Sequence, residues 1–399
     1  MRRFRPTRRA LIISGAGVML FMAASTAQAG WLFVLSAGVL GLVAASLLTR
    51  HNLSSAEVER IAPRRTCVGD AIAGGLIVRN TGRRSVPLMR IEDRYGAFEP
   101  TVAVAERMRG GEESRVELVK RAHRRGVFTT GPVLLTSGAP FGFSRSKRTV
   151  EVPGHTTVVP RWVDLSSFPI LEPSSFPSDV LHERARTGAG QEYLGVREYR
   201  PGDPQRAVHW RSTARVGQLV VREFEEEVQS RVTLVLAGGD FGEPPDSAFE
   251  MLVSAAASIA IYALNTGHPV DLLRPDADGI SHLGDPDRYD VLDWLAGAQP
   301  IDTEITPLVS QALARVGRRG TVVVLVPSMG TAARDVDNAV RAIQSAGSRA
   351  ILVVARASSW GEHPEGSDSD ETSALGVMGS GRAGLHVISR GEDLSECLG

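Results

Sequence analysis

Residues 10–49 run for forty positions without Asp, Glu, Lys or Arg, and nothing else in this 399-residue chain restricts its folding as tightly. One helix across ~30 Å of hydrocarbon takes about 20 residues, so the run has the length of two. Ala27-Gln28-Ala29-Gly30 is its most polar and flexible point, which predicts helices over 10–28 and 31–49. Arg2, Arg3, Arg5, Arg8 and Arg9 precede the first; Arg50, His51, Arg60, Arg64 and Arg65 follow the second. The positive-inside rule then holds both ends in the cytoplasm, joined by a very short outer turn. The expectation is a two-helix, multi-pass anchor in the cell membrane with cytoplasmic soluble domains. Ala27-Gln28-Ala29 is also a small-x-small pattern of the signal-peptide type. Cleavage there leaves 31–49 as a spanning helix, and only a second segment that fails to span exports the rest.

Charge narrows the function classes. Lys+Arg and Asp+Glu are 45 each, a neutral total that argues against a histone-like nucleic-acid binder. Residues 1–160 hold 24 and 11, a net of +13, which leaves 21 and 34, a net of −13, for 161–399. The basic half suits a position near an anionic inner leaflet. Lys120 and Lys147 are the only lysines, and they follow Val119 and Ser146. A P-loop needs Gly-Lys-[Ser/Thr], so this chain is not a P-loop NTPase. Gly379-Ser380-Gly381-Arg382-Ala383-Gly384 matches a dinucleotide fingerprint in letters but precedes a strand instead of following one. Cys67 and Cys397 make neither a disulfide framework nor a Cys-based zinc site. No cofactor is implied.

Periodicity divides the soluble part. Residues 51–160 read as a β-sandwich-like domain, with strands at Ala71–Val78, Val86–Ile91, 114–120, 126–135 and 149–159 and a turn at Asn80-Thr81-Gly82. Residues 161–228 read as a linker carrying a distinctive segment, and 229–399 as an α/β domain. In the latter, strands at 231–236, 268–273, 321–326, 350–355 and 385–389 alternate with helices at 246–265, 305–316 and 331–346, the pattern of an open parallel sheet. Residues 357–383 read as a loop.

The distinctive segment is Arg197–Arg215. Asp203 suits an N-cap and Pro204 a first helical position, so a helix to about Ala214 would set Arg206 and Trp210 on one face, with Gly217 ending it. Gln218–Phe224 then reads as a strand pairing with 231–236. Arg197, Tyr199, Gly202, Asp203, Arg206, Trp210 and Ala214 follow the pattern Arg-x-Tyr-x-x-Gly-Asp-x-x-Arg-x-x-x-Trp, then a small residue and Ala. In this the chain resembles the domain of unknown function 58 family. Ala139-Pro140-Phe141-Gly142-Phe143 is similar to that family's Asp-Pro-Phe-Gly-Leu, with Ala139 in place of Asp. The resemblance implies two membrane helices, a β-domain and a von Willebrand A-like domain of Rossmann-type open sheet. It also implies partnership with a MoxR-type AAA+ ATPase and no established catalysis.

A metal-competent von Willebrand A domain presents Asp-x-Ser-x-Ser after its first strand, because Mg²⁺ needs several oxygen ligands. The aligned positions are Ala237, Gly239 and Phe241, so no such metal site is expected. Three readings of the distinctive segment stay open. It is a structural clasp, with Asp203 capping, Arg206 paired to a carboxylate at 223–227 and Trp210 packed between domains. It is a docking surface for a partner protein, with His209 as a further member. Or its arginines and aromatics bind phosphate or single-stranded nucleic acid. The whole reads as a non-enzymatic, membrane-anchored adaptor that helps an AAA+ ATPase assemble or remodel an envelope-associated complex. The alternative is a metal-dependent or hydrolytic enzyme with an unrecognised site.

Overall fold

The computed structural model describes residues 3–48, 53–94, 98–138, 141–170, 193–200, 203, 205–224, 230–239, 246–316, 320–327, 333–361 and 383–399. Two compact units divide the chain: Met1–Arg161 with Leu292–Gly297, and Trp162–Val291 with Ala298–Gly399.

In the first unit a short strand, β1 (Arg3–Pro6), leads into α1 (Arg8–Ala27), and α2 (Gly30–Leu48) returns antiparallel beside it. Thr7 caps α1 through its hydroxyl, and Gln28 turns the chain with a φ of 48°. The helices approach closely because small residues meet. A Cβ at Gly17 would lie 2.8 Å from Leu40, and the Ser36 hydroxyl donates to the Gly17 carbonyl at 2.9 Å. By length and composition α1 suffices to cross a bilayer, and α2 is apolar over Gly30–Ser46.

The β-domain follows as β2 (Ala56–Ile61), β3 (Arg65–Cys67), β4 (Ala71–Asn80), β5 (Met89–Asp93), β6 (Thr101–Ala105), β7 (Glu113–Arg121), β8 (Gly126–Thr129), β9 (Val133–Ser137), β10 (Ser144–Val150) and β11 (His155–Val159). A sheet ordered β1-β10-β9-β5-β6 shares one core with a sheet ordered β2-β4-β7, and β3-β11-β8 forms a smaller third sheet. Leu76, Val78 and Leu118 from the three-stranded sheet meet Met89, Ile91, Val133 and Leu135 from the five-stranded one. Asn80 marks the passage between sheets rather than a hairpin. Its fully buried amide donates to the carbonyls of Arg84 and Arg109, both at 2.9 Å, and accepts from the Gly82 amide.

Three expectations for this domain need correction. The run 126–135 is two strands in different sheets, β8 and β9, broken at Gly131-Pro132. The run 149–159 likewise divides into β10 and β11 around Pro153-Gly154. Val86 makes only an isolated bridge to Met108, and the strand expected there begins at Met89.

The second unit opens, in its described part, with a segment whose Phe168 ring lies on Tyr262 and His386. After it come β12 (Tyr193–Glu198), α3 (Trp210–Val216) and β13 (Val220–Phe224). The α/β part comprises β14 (Val232–Leu236), α4 (Ala248–Asn265), β15 (Val270–Asp276), β16 (Gly279–Gly284), α5 (Arg288–Ala296, counted with the first unit from Leu292 on), α6 (Ile305–Val316), β17 (Thr321–Val326), α7 (Ala333–Ser345), β18 (Arg349–Ala355), β19 (Ala383–Ile388) and α8 (Leu394–Leu398). The strands form one sheet, β16-β15-β14-β17-β18-β19. Every pairing is parallel except β15–β16, so the parallel expectation holds with an antiparallel edge added. Val322–Val326 is buried throughout, which is why a continuous aliphatic run marks the sheet's interior. α4 is as apolar as a membrane span, but it is mostly buried and serves as a core helix.

One buried charge cluster ties the two larger β-sheets together. Asp93 of β5 is 1% exposed; its carboxylate accepts from Arg60 of β2 at 2.6 Å and contacts the Lys120 ammonium of β7. Arg60 also donates to the carbonyls of Val152 at 3.0 Å and Gly131 at 2.8 Å. Burial lowers the Lys120 pKa against the opposing pull of Asp93. Two cations share one anion, so the partners are not equivalent. Asp93→Asn removes the carboxylate that two buried cations share and is expected to cost about 3–5 kcal/mol. Lys120→Met keeps the neutral Arg60–Asp93 pair and should cost far less. Urea unfolding of the two variants in detergent checks this; equal losses would refute it.

Candidate functional site

The motif residues fold into a β-hairpin with a helical crossover. β12 pairs antiparallel with β13, with Arg197 opposite Val221 and Glu198 opposite Val220. The Arg197 guanidinium grips Asp203 with two bonds, Nη1 to Oδ2 at 2.7 Å and Nη2 to Oδ1 at 2.8 Å. The Arg200 amide donates to the same carboxylate at 2.8 Å, and the Asp203 amide closes the turn onto the Arg200 carbonyl at 3.0 Å. This fork geometry is the strong form of an ion pair. It pulls the Asp203 pKa down to about 2, chiefly through Arg197 and then through the Arg200 amide.

The helix expected from Pro204 to Ala214 is corrected. Gln205–Ala207 is a 3₁₀ turn, Val208 bridges to Val221, and α3 starts only at Trp210. Asp203 fails to cap because Arg197 and the Arg200 amide take its oxygens. His209 occupies the N-cap position instead, without a side-chain capping bond; its Nδ1 lies 2.7 Å from the Ser212 hydroxyl. Gly217 ends the helix as expected, with a φ of 76°. The strand at 218–224 pairs with β12 and not with 231–236, a second correction. The Tyr199 amide donates to Leu219 and the His209 amide to Val220, both at 2.8 Å, so the crossover is laced to β13 through the main chain. Gly202 and the Arg206 side chain lie outside the described residues.

No residue of α3 is buried. Trp210, which the clasp reading packs between domains, is 68% exposed. Val196, Val216, Leu219, Arg211 and Arg215 are exposed as well. The motif thus separates into a clamp, Arg197–Asp203, and an exposed Trp210. Spacing identified the residues, but their separation depends on the hairpin, which the sequence reading missed.

The order of the α/β sheet reverses between β14 and β17, the place where open sheets of this kind bind ligands beyond the strand ends. Here the chain leaves β14 through Ala237, Gly238 and Gly239. A Cβ at Gly238 would lie 1.3 Å from the Ile301 carbonyl oxygen, and Gly239 has a φ of 95°. The strand end is packed under main chain and carries no side-chain oxygen at Ala237 or Gly239. Phe241 lies outside the described residues. Among the described residues no group of three His, Cys, Asp or Glu is placed to hold a metal ion. Cys397, near the chain's end, has its thiol pKa pushed up to about 11 by burial and by Glu392, which makes it a poor nucleophile.

Residues 195–383 match the family model described as "Protein of unknown function DUF58". No curated protein matches the sequence. Among solved structures, a CARDB domain from Pyrococcus furiosus is 14% identical, covering 26% of this chain and 94% of its own, with a TM-score of 0.20. A GH20 exo-β-N-acetylglucosaminidase from Vibrio harveyi is 7% identical over 75% of this chain and 57% of its own, with a TM-score of 0.18. A Paenibacillus cycloisomaltooligosaccharide glucanotransferase is 12% identical over 83% and 53%, with a TM-score of 0.17. At such scores neither fold nor function transfers.

The clamp makes a pH prediction. The folded pKa of Asp203 lies below the ordinary carboxylate value of about 3.9, so its stabilisation is complete above about pH 4 and is lost as pH falls through about 2. The amide resonances of Arg200 and Asp203 should titrate together with a midpoint near 2 and shift permanently in Asp203→Asn. A midpoint near the ordinary value would contradict the clamp.

Proposed function

Over residues 195–383 the chain belongs to the DUF58 family, and from that premise we propose a non-enzymatic, membrane-anchored adaptor for a MoxR-type AAA+ ATPase. α1 and α2 form the anchor in the cell membrane, with the soluble domains cytoplasmic. The adaptor works in assembly or remodelling of an envelope-associated complex. The α/β part is von Willebrand A-like: its strand order, with one antiparallel edge strand, supports that reading. Ala237 and Gly239 support a degenerate metal position. The observation that carries the proposal is Trp210, 68% exposed on a helix with no buried residue that is tied to β13 through the neighbouring His209 amide. Aromatic and arginine side chains dominate the energetics of protein interfaces, and this exposed helix carries Trp210, Arg211 and Arg215.

Affinity capture of the detergent-solubilised protein under ATP-trapping conditions tests the partner. Wild type is expected to recover an AAA+ ATPase. Trp210→Ala should fold normally and lose at least tenfold of the capture, since buried interface tryptophans contribute about 2 kcal/mol or more. Capture of no ATPase by wild type overturns the proposal; capture of nucleic acid instead favours the phosphate-binding reading. A thermal-shift series with Mg²⁺, Mn²⁺ and Ca²⁺ addresses the enzyme alternative. Unchanged melting is expected, and a large shift specific to one ion would refute the degenerate-site reading.

A further inference from the structure

The core of the β-domain has a gap beside its charge cluster. Side chains alternate along a strand, so Ile72, Gly74, Leu76 and Val78 of β4 share one face, and Leu76 and Val78 lie in the core. At Gly74 that face has no side chain. A cavity opens there, lined by Ile72, Gly74 and Leu118 and by the ionic groups of Arg60, Asp93 and Lys120. Ile61 and Pro63, also in its wall, are exposed, so the cavity reaches solvent beside them.

The three ionic groups do not cancel. Asp93 sets one negative charge against the positive charges of Arg60 and Lys120, and the side chains are 1%, 5% and 7% exposed. Among the described residues that line the cavity, no other is charged. The protonated cluster therefore holds one surplus positive charge within a largely apolar wall. Burial pushes Lys120 towards its neutral form against the pull of Asp93, and an added counter-charge keeps such a group ionised. Size says which counter-charge. The cavity has room for about one water-sized sphere. Phosphate, sulfate and carboxylates are too large, whereas a monatomic anion fits. A water also fits, but it is neutral and leaves the surplus charge in place.

We propose that the cavity at Gly74 is a halide site, in which Arg60 and Lys120 hold one chloride ion. The ion completes a neutral set of two cations and two anions. It sits where Asp93 of the five-stranded sheet meets the cations of the three-stranded one. Chloride concentration then governs how firmly those two sheets are joined.

Hydrogen exchange of the full-length, detergent-solubilised protein tests this, with chloride raised from about 30 to about 300 mM and gluconate holding the ionic strength fixed. An ion bound only by the folded state slows exchange through opening as its concentration rises. Exchange in β4 and β7 is expected to slow by at least about threefold, the ratio for a Kd of about 100 mM or tighter. β17 of the α/β part should not respond, and it reports any general effect of the solvent. Lys120→Met leaves a cluster that is already neutral, so it should keep the fold and lose the response. Unchanged exchange in β4 and β7, equal slowing in β17, or an undiminished response in Lys120→Met each overturns the site. Crystals of wild type grown with bromide give a reading that needs no variant. An anomalous peak in contact with the Lys120 Nζ is expected, and a cavity without one overturns the proposal.

Discussion

The carboxylate of Asp93 is the point on which the β-domain's assembly turns. It belongs to β5 of the five-stranded sheet, while its two cations come from β2 and β7 of the three-stranded sheet. Apolar contacts between sheets tolerate sliding, because Leu76 or Ile91 would find other methyl groups nearby. A buried carboxylate does not, since an unpaired charge in a dry interior costs several kcal/mol. The cluster therefore fixes how the two sheets register. Arg60 extends that constraint to the carbonyls of Gly131 and Val152, close to the breaks that separate β8 from β9 and β10 from β11. The same register sets β10 at the sheet edge where β1 joins, and thus sets where the helical hairpin meets the domain.

What the sequence disclosed follows burial. The interior strands of the α/β sheet are buried at nearly every position, and their continuous aliphatic runs were legible at almost their true bounds. The edge strand β16 was missed because Gly279–Gly284 has no buried residue and mixes exposed and half-buried positions, including Ser281 and His282. In the β-domain, period-two patterning located apolar stretches but carried no information about sheet membership. The chain changes sheet at Gly131-Pro132 and around Pro153-Gly154, inside runs that read as single strands. Proline and glycine were the available signal, and weighting them above hydrophobicity would have divided both runs.

The motif shows a different limit. Local rules favour Asp203 as an N-cap followed by Pro204, and a helix from there is sound by propensity. Arg197, six residues earlier, competes for the same carboxylate with a two-pronged charged bond and prevails. That outcome needs β12 to point Arg197 back at the turn, and β12 exists through its pairing with β13. A tertiary partner overrode a local preference, which residue spacing alone cannot report. The exposure of Trp210 was hidden for the same reason: placing α3 requires knowing that its helix starts six residues later than Pro204.

The clamp also bears on what the motif can do. A general base working near neutrality needs a pKa near that range and a free lone pair. The Asp203 carboxylate accepts two bonds from Arg197 and one from the Arg200 amide, and it remains ionised down to about pH 2. His209 is another titratable side chain here, and its Nδ1 lies within hydrogen-bond distance of the Ser212 hydroxyl, one helical turn away. The motif's acid is thus committed to the shape of a turn, and its most exposed large side chain is an aromatic with no proton to transfer.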